Sequence, residues 1–200
     1  PMIIVGITST DDRLDEYSPL KDGEAYMDFL VKRVKPLIDQ RYRTRPGREN
    51  TLVGGAAMGG TIAFATAWRY PEIFGGAISL SPAFQLEDRM DVLPWFGAQG
   101  DEFRPVFFYL YNGAQGADAL LEPGMDAMVA ELEFRGYRLE RNFVLVRDPN
   151  AFHGIPAWSE QFPSALTRTL RGAKRLASLA QIHDRSVPER LLVTPAALAH

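Results

Sequence analysis

Three histidines are candidates for acid–base chemistry, and two of them, His183 and His200, lie in the C-terminal tail. The third, His153, follows a predicted strand, in the run Asp-Pro-Asn-Ala-Phe-His-Gly at 148–154. A loop after a strand suits a general base, because the strand fixes the loop while the ring reaches the substrate. A lone loop histidine can equally be an ordinary polar residue, so His153 is a candidate that needs a partner.

An acidic partner for His153 is expected on the loop after the preceding strand. The glycine-rich run at 111–118 ends in Asp118, just before a predicted helix. A carboxylate there would orient the imidazole and stabilise the imidazolium, although the position also suits a helix-capping or first-turn carboxylate. Asp148 and Glu122 are the alternatives, and Asp118 is favoured because it lies beyond the carboxyl end of a central strand.

The third feature is a turn of very small residues, Gly-Ala-Ala-Met-Gly-Gly at 55–60, between a predicted strand and a predicted helix. A sharp strand–turn–helix of the form G-x-S-x-G raises a nucleophilic serine above a sheet, and its glycines allow the backbones to approach closely. Gly55 and Gly59 occupy the glycine positions, and Ala57 occupies the serine position. A small-residue turn that merely lets a helix pack on a strand would look the same, and no phosphate-binding motif fits.

The elements that must position these residues alternate between strand-like and helix-like patterns, which predicts an α/β fold with a parallel sheet. Strands are predicted at 2–7, 51–55, 74–80, 105–111 and 139–146, and helices at 24–41, 58–70, 120–135 and 157–177, with a less regular stretch at 83–104 that includes a helix around 85–93. We predict one domain over residues 1–178 and a peripheral tail over 179–200.

Composition narrows the classes of function. The chain has 200 residues, enough for one domain, and its net charge of -3 makes nucleic acid an improbable partner. It has no cysteine, which excludes a thiol nucleophile, and no histidine motif indicates a metal site. We therefore expect no cofactor. No apolar run is long enough for a membrane span, and the absence of a visible signal peptide slightly favours the cytoplasm.

Several motifs together carry a family resemblance. They are, in order, Ile4–Ile7, Arg13–Pro19, Pro36–Thr44, Gly55–Gly60, Pro71–Gly76 with Ser81-Pro82, and His153-Gly154 with Trp158. As a set they resemble the putative-esterase family of the α/β-hydrolase superfamily, which includes esterase D, feruloyl esterases, enterochelin esterases and mycolyltransferases. The resemblance implies an α/β-hydrolase fold and a serine carboxylic-ester hydrolase that works through an acyl-enzyme on a small-molecule ester.

Carried over to this sequence, the resemblance makes Ala57 the nucleophile position, Asp118 the acid and His153 the base. It also makes the backbone N–H of Met58 a donor of the oxyanion hole, since Met58 follows the nucleophile position. The resemblance leaves the ester itself open, because sequence does not separate aryl, siderophore and alkyl esters.

Aromatic residues near these positions are the candidates for substrate contact. Phe152 and Trp158 could form walls of the acyl or alcohol pocket, and a core role for either is an equal alternative. Other aromatic residues could line a cleft or pack in the core or a lid: Phe84, Trp95, Phe96 and Phe103.

The chain departs from the family at Ala57, because a methyl group can neither attack a carbonyl nor be activated by a histidine. The intact motif around it favours a single Ser→Ala knock-out. A natural pseudo-esterase used for binding or scaffolding is the main alternative, and an acyltransferase of the same fold would use the same residues.

A second departure is at the front of the chain, since family members begin with further strands. These strands and a loop that supplies the second oxyanion-hole N–H are apparently absent. A sheet begun at residue 2 would leave an unpaired apolar edge, which natural proteins cover. We therefore predict that a missing N-terminal segment, a partner chain or a homodimer covers that edge.

Overall fold

A computed structural model describes residues 2–86 and 90–186 of the chain. The strands are β1 (Leu52–Ala56), β2 (Gly76–Leu80), β3 (Gln85–Leu86), β4 (Met90–Asp91), β5 (Phe107–Gln115) and β6 (Phe143–Phe152). The helices are α1 (Arg13–Glu16), α2 (Gly23–Phe29), α3 (Lys35–Arg41), α4 (Met58–Arg69), α5 (Leu93–Gly97), α6 (Ala117–Phe134) and α7 (Ile155–Ser186), with a π-helical turn at Leu30–Val34 and a 3-10 turn at Arg48–Asn50.

Four strands form the main sheet, in the order β1-β2-β5-β6, and every pairing in it is parallel. Ala56 pairs with Leu80, Leu80 with Tyr111, and Tyr111 with Val146. The carboxyl ends of all four strands therefore meet at one edge of the sheet. The predicted parallel sheet flanked by helices is confirmed.

The central strand β5 is buried on both faces, which explains its unbroken apolar sequence. On one face Phe108 and Leu110 pack with Phe64 of α4 and Met125 of α6 in a cluster of buried aromatic and aliphatic side chains. The opposite face of β5 packs in a second cluster, with α7. A helical layer thus covers each face, and the two layers hold the strand ends in place.

The helix predicted at 24–41 is present, but a π-helical turn at Leu30–Val34 interrupts it. Pro36 follows this turn and lies at the start of α3. Proline has no N–H, and its ring collides with the carbonyl four residues earlier in a regular α-helix. A wider turn just before Pro36 relieves this collision, as π-bulges do elsewhere.

Two predictions of local structure are wrong. Residues 2–7 form no strand, and the apolar side chains there, such as Ile4 and Val5, are exposed. A strand needs a neighbour for its backbone groups, and within residues 2–51 the structure has no strand. A helix was also predicted around 85–93. Residues 85–86 and 90–91 instead form two short antiparallel strands, β3 and β4.

The outer edge of β1 has no partner strand among the residues described. From the sequence, the free edge was expected at a strand over residues 2–7. No strand forms there, so the free edge is that of β1, and what covers it stays a prediction. Helix α7 continues to Ser186, beyond residue 178, where the tail was predicted to begin. His200 and the rest of 187–200 lie outside the described residues. No helix in the described part combines the length and the apolar character of a membrane span.

A substitution at Gly172 of α7 can test the packing between α7 and the sheet. A Cβ at this position would overlap ring carbons of Phe107 on β5. Overpacking of this kind costs about 1–3 kcal/mol, which outweighs the helix propensity of about 1 kcal/mol gained on replacing glycine. The difference between the two effects predicts that Gly172→Ala lowers the free energy of unfolding by up to about 2 kcal/mol in urea denaturation.

Gly97, in α5, is the matched control for this substitution, because nothing lies within 4 Å of a Cβ there. Gly97→Ala should leave the free energy of unfolding unchanged or raise it by up to about 1 kcal/mol. Equal losses in the two variants would contradict the packing described for Gly172.

Candidate active site

Ala57 lies in the tight turn between β1 and α4 and has a left-handed backbone, with φ 52° and ψ -128°. Its N–H donates to the Leu80 carbonyl at 2.9 Å, and its own carbonyl accepts the N–H of Gly60 at 2.9 Å. Such a conformation costs a non-glycine residue about 1–3 kcal/mol and persists where the surroundings impose it. The turn therefore has the strained geometry of a nucleophile elbow.

The small residues around Ala57 are needed because backbones approach closely. A Cβ on Gly55 would overlap the carbonyl group of Gly59, and a Cβ on Gly60 would lie 3.2 Å from the backbone N and O of Leu80. A Cβ on Gly59 itself would meet only the ring of Tyr17, at 3.9 Å. The close approach of neighbouring backbone atoms explains why residues 55 and 60 are glycine. At Gly59 a side chain would have room, and it is the backbone of Gly59 that lies against Gly55.

Met58 opens α4, directly after Ala57. The first N–H groups of a helix have no acceptor within the helix, and no acceptor for the Met58 N–H is found in the described part of the chain. This donor and the positive end of the helix dipole are available beside the position of the Ala57 side chain.

Asp118 and His153, which the sequence analysis named as candidate acid and base, form a hydrogen-bonded pair. Nδ1 of His153 lies 2.6 Å from Oδ1 of Asp118. Asp118 is completely buried in the first turn of α6, and His153 follows the end of β6 with about a quarter of its side chain exposed. Because an ionised carboxylate only accepts hydrogen bonds, Nδ1 is the donor to Asp118, and Nε2 is the ring nitrogen that this bond leaves unused.

The second oxygen of Asp118 accepts two further hydrogen bonds. The backbone N–H of Gly113 donates to Oδ2 at 2.9 Å, and the hydroxyl of Ser81 donates to the same oxygen at 3.0 Å. A Cβ on Gly113 would lie 2.5 Å from this oxygen. A buried carboxylate needs such donors, since an unpaired charge away from water is costly. Asp118 is thereby fixed in position from three directions.

Neither alternative acid contacts His153 among the contacts that the structure describes. Glu122 accepts a hydrogen bond from the side-chain amide of Asn112 at 2.7 Å and pairs with Arg147. Asp148 accepts the backbone N–H of Asn150 at 2.9 Å. Both carboxylates thus belong to structural interactions, and Asp118 alone of the three is hydrogen-bonded to the histidine.

The two aromatic candidates differ in their surroundings. Trp158, near the start of α7, is half-buried, and its ring meets the ring of His153 edge to face with centroids 4.8 Å apart. Phe152 is 66% exposed. Trp158 also lines a groove of about 380 Å³ beside β1, together with Ala56, Ile78, Leu80, Ile155 and Phe162.

Ser81 is the site residue to which the sequence analysis gave no role. It directly follows β2, has a left-handed backbone with φ 46°, and is completely buried. It therefore occupies, beside Ala57, the equivalent place on the neighbouring strand, since Ala56 and Leu80 are paired in register. The Ser81-Pro82 motif and its place after a strand were visible signals, but its partners were not.

Tyr111 of β5 lies near the site, where it pairs with Leu80 on one side and Val146 on the other. Burial, with the nearby carboxylates of Asp148 and Asp118, raises the pKa of Tyr111 to about 12. Its phenol is therefore neutral at ordinary pH and is not a candidate base. Within the residues described, no group of three His, Cys, Asp or Glu side chains could hold a metal ion.

Solved structures that superpose on this chain include esterases. The enterochelin esterase of Shigella flexneri superposes with a TM-score of 0.65 at 18% identity, covering 82% of this chain and 40% of that chain. The ferulic acid esterase of Anaeromyces mucronatus superposes with a TM-score of 0.58 at 18% identity, covering 74% of this chain and 54% of that one. These neighbours confirm the α/β-hydrolase fold.

A curated relative is the uncharacterised protein YbbA of Bacillus subtilis (strain 168), which is 26% identical over 105 residues, or 46% of this chain and 42% of that protein. The chain thus spans less than half the length of this relative. The profile of the family described as "Putative esterase" matches residues 3–106, about half of the sequence. The chain belongs to the putative esterase family.

Proposed function

We propose that this chain carries the catalytic site of a serine-type carboxylic-ester hydrolase whose nucleophile position holds alanine. The observation that carries the proposal is the hydrogen bond between His153 and the buried Asp118, at the same sheet edge as a nucleophile-elbow turn. An esterase-like hydrolase is also what the family predicts. We further propose that the reaction passes through an acyl-enzyme, on the basis of the Asp118–His153 contact and the turn at Ala57.

The site would work as follows with a serine at position 57. The serine oxygen attacks the ester carbonyl while Nε2 of His153 takes its proton, and the Met58 N–H stabilises the oxyanion. His153 then protonates the leaving alcohol, and an acyl-enzyme remains. Water attacks the acyl-enzyme as His153 removes its proton, which releases the acid and restores the serine. Asp118 keeps Nδ1 protonated and the ring oriented throughout.

Alanine at position 57 has no oxygen to attack with, so the chain as it stands would bind an ester without forming an acyl-enzyme. The strained turn is retained although the methyl group makes no use of it. This supports a single replacement of serine, by design or by recent change. The alternative is a natural pseudo-esterase that binds or scaffolds, for which alanine would be the native residue at position 57. An acyltransferase would use the same residues with another acceptor.

The groove beside β1 suggests which part of a substrate this chain contacts. Its lining of Ile78, Leu80, Ile155, Trp158 and Phe162 is apolar, and burying apolar surface contributes about 25 cal/mol per Å² to binding. We propose that this groove takes an apolar acyl or alcohol group of a small-molecule ester. Phe152 precedes His153 in the sequence, is largely exposed and does not line this groove, so it would contact only the outer part of such a ligand.

Restoring the serine tests the proposal. Ala57→Ser should hydrolyse a short p-nitrophenyl ester with a burst of p-nitrophenol equal to the enzyme concentration. Loss of a triad member costs up to about 10⁶-fold in kcat, so a gain of several orders of magnitude over the Ala57 chain is expected. Intact-mass spectrometry after treatment with a fluorophosphonate should show one adduct in the serine variant and none in the Ala57 chain.

The control for this experiment is Ala57→Ser combined with His153→Ala, which keeps the hydroxyl but removes the base. It should lose both the burst and the adduct. A folded serine variant that yields neither would overturn the esterase proposal, and binding of an ester that survives His153→Ala in the Ala57 chain would favour the scaffolding role.

The assignment of the acid can be tested in the Ala57→Ser background. Asp118→Asn should lower kcat by about 10⁴-fold, because an amide opposite Nδ1 favours the wrong tautomer of the imidazole. Asp148→Asn is the matched control and should change kcat by less than about twofold, since Asp148 does not contact His153. The reverse ranking in steady-state assays would make Asp148 the acid.

A further inference from the structure

Ser81 lies between two side chains of the proposed site. Its hydroxyl oxygen accepts the indole N–H of Trp158 at 2.9 Å, and its hydroxyl group donates to Oδ2 of Asp118 at 3.0 Å. The indole N–H can only donate, and an ionised carboxylate can only accept. The single Ser81 proton is therefore directed at Asp118, and the chain of donors runs from Trp158 through Ser81 to the carboxylate.

Asp118 and Trp158 also contact His153, so Ser81, Asp118, His153 and Trp158 form a closed cycle of contacts. Asp118 bonds Nδ1 of His153 at 2.6 Å, and the Trp158 ring lies edge to face against the His153 ring at 4.8 Å, with an angle of 84° between the planes. Because Ser81 and Asp118 are both completely buried, no water competes for these bonds on their side. A shift of Ser81 would move both groups that orient the imidazole.

The backbone supports this arrangement. Ser81 has φ 46°, an uncommon conformation for a residue other than glycine. Its N–H donates to the Tyr111 carbonyl at 2.7 Å. Left-handed residues of this kind cluster at functional sites, where the surrounding structure holds them. Here the conformation accompanies a hydroxyl that bonds Asp118, in the first turn of α6 after the neighbouring strand β5.

We propose that Ser81 is a positioning residue, which couples Trp158 to Asp118 and thereby sets the orientation of the Asp118 carboxylate and the His153 ring. Its effect on turnover rests on the proposed function, whereas its effect on the geometry does not. Trp158 acts in this proposal through its N–H, in addition to the groove surface that its ring provides.

The geometry can be tested in the Ala57 chain by NMR, without any turnover. The far-downfield proton resonance of His153 Nδ1–H and the indole N–H resonance of Trp158 report the two ends of the chain of hydrogen bonds. In a folded Ser81→Ala variant we expect the first resonance to broaden through solvent exchange and the second to move upfield. Both resonances unchanged would overturn the proposal.

Ser79→Ala is the matched control, since Ser79 is a completely buried serine on the same strand whose hydroxyl bonds the Gly60 carbonyl instead. It should leave both resonances in place. Loss of the signals in this variant as well would mean that any cavity in β2 disturbs the pair, which contradicts a specific role of Ser81. Trp158→Phe, which keeps a ring but removes the N–H, should reproduce the broadening of the His153 resonance.

Turnover provides the second measurement, in the Ala57→Ser background. Ser81→Ala should lower kcat with little change in KM, by up to about 100-fold, as misplacement of a catalytic group does. Adding Trp158→Phe should lower kcat little further, because both substitutions interrupt the same series of hydrogen bonds. Unchanged kcat with a broadened resonance would overturn the catalytic part. Should the serine variant lack activity altogether, the resonances still decide the positioning role.

Discussion

The site depends on one buried charge, the carboxylate of Asp118, and on the donors that surround it. Removing a carboxylate from water is expensive unless hydrogen bonds replace its hydration. Three donors do so here, from His153, Gly113 and Ser81. The three donors come from different parts of the sequence, so their hydrogen bonds to one carboxylate hold three segments together. Orientation of the imidazole follows from satisfying this charge.

The parallel sheet makes that convergence possible. Strands that pair in register end at the same edge, about 4.8 Å apart. Ala57 and Ser81 continue neighbouring strands beyond this edge, and Asp118 and His153 follow the next two. The residues lie far apart in sequence, yet their order across the sheet is fixed by backbone hydrogen bonds alone. Loops then have only a short distance to cover.

Sequence reasoning succeeded where chemistry and periodicity are local. The glycines around Ala57, the loop position of His153 and the apolar run of β5 each have a physical reason that can be read from the chain. Asp118 was favoured over Asp148 because it lies beyond the carboxyl end of a central strand. The pairing of Asp118 with His153 followed from these two placements.

Other features depend on contacts that no sequence pattern encodes. Ser81 became part of the site only when its neighbours Trp158 and Asp118, distant in sequence, were seen beside it. Residues 2–7 have the composition of a strand, but a strand also needs a partner. The segment around 85–93 mixes polar and apolar residues with neither a helical nor a strand periodicity. Its sequence therefore did not indicate the two short strands that form there.

The left-handed turn at Ala57 has a consequence for how this site can change over generations. Its strain is a property of the backbone, and it remains whether the side chain ends in a methyl group or in a hydroxymethyl group. Selection for stability alone would favour glycine, which adopts this conformation freely. Every alanine codon becomes a serine codon by a change of its first base. The chain is thus a single point mutation away from a serine in this strained turn.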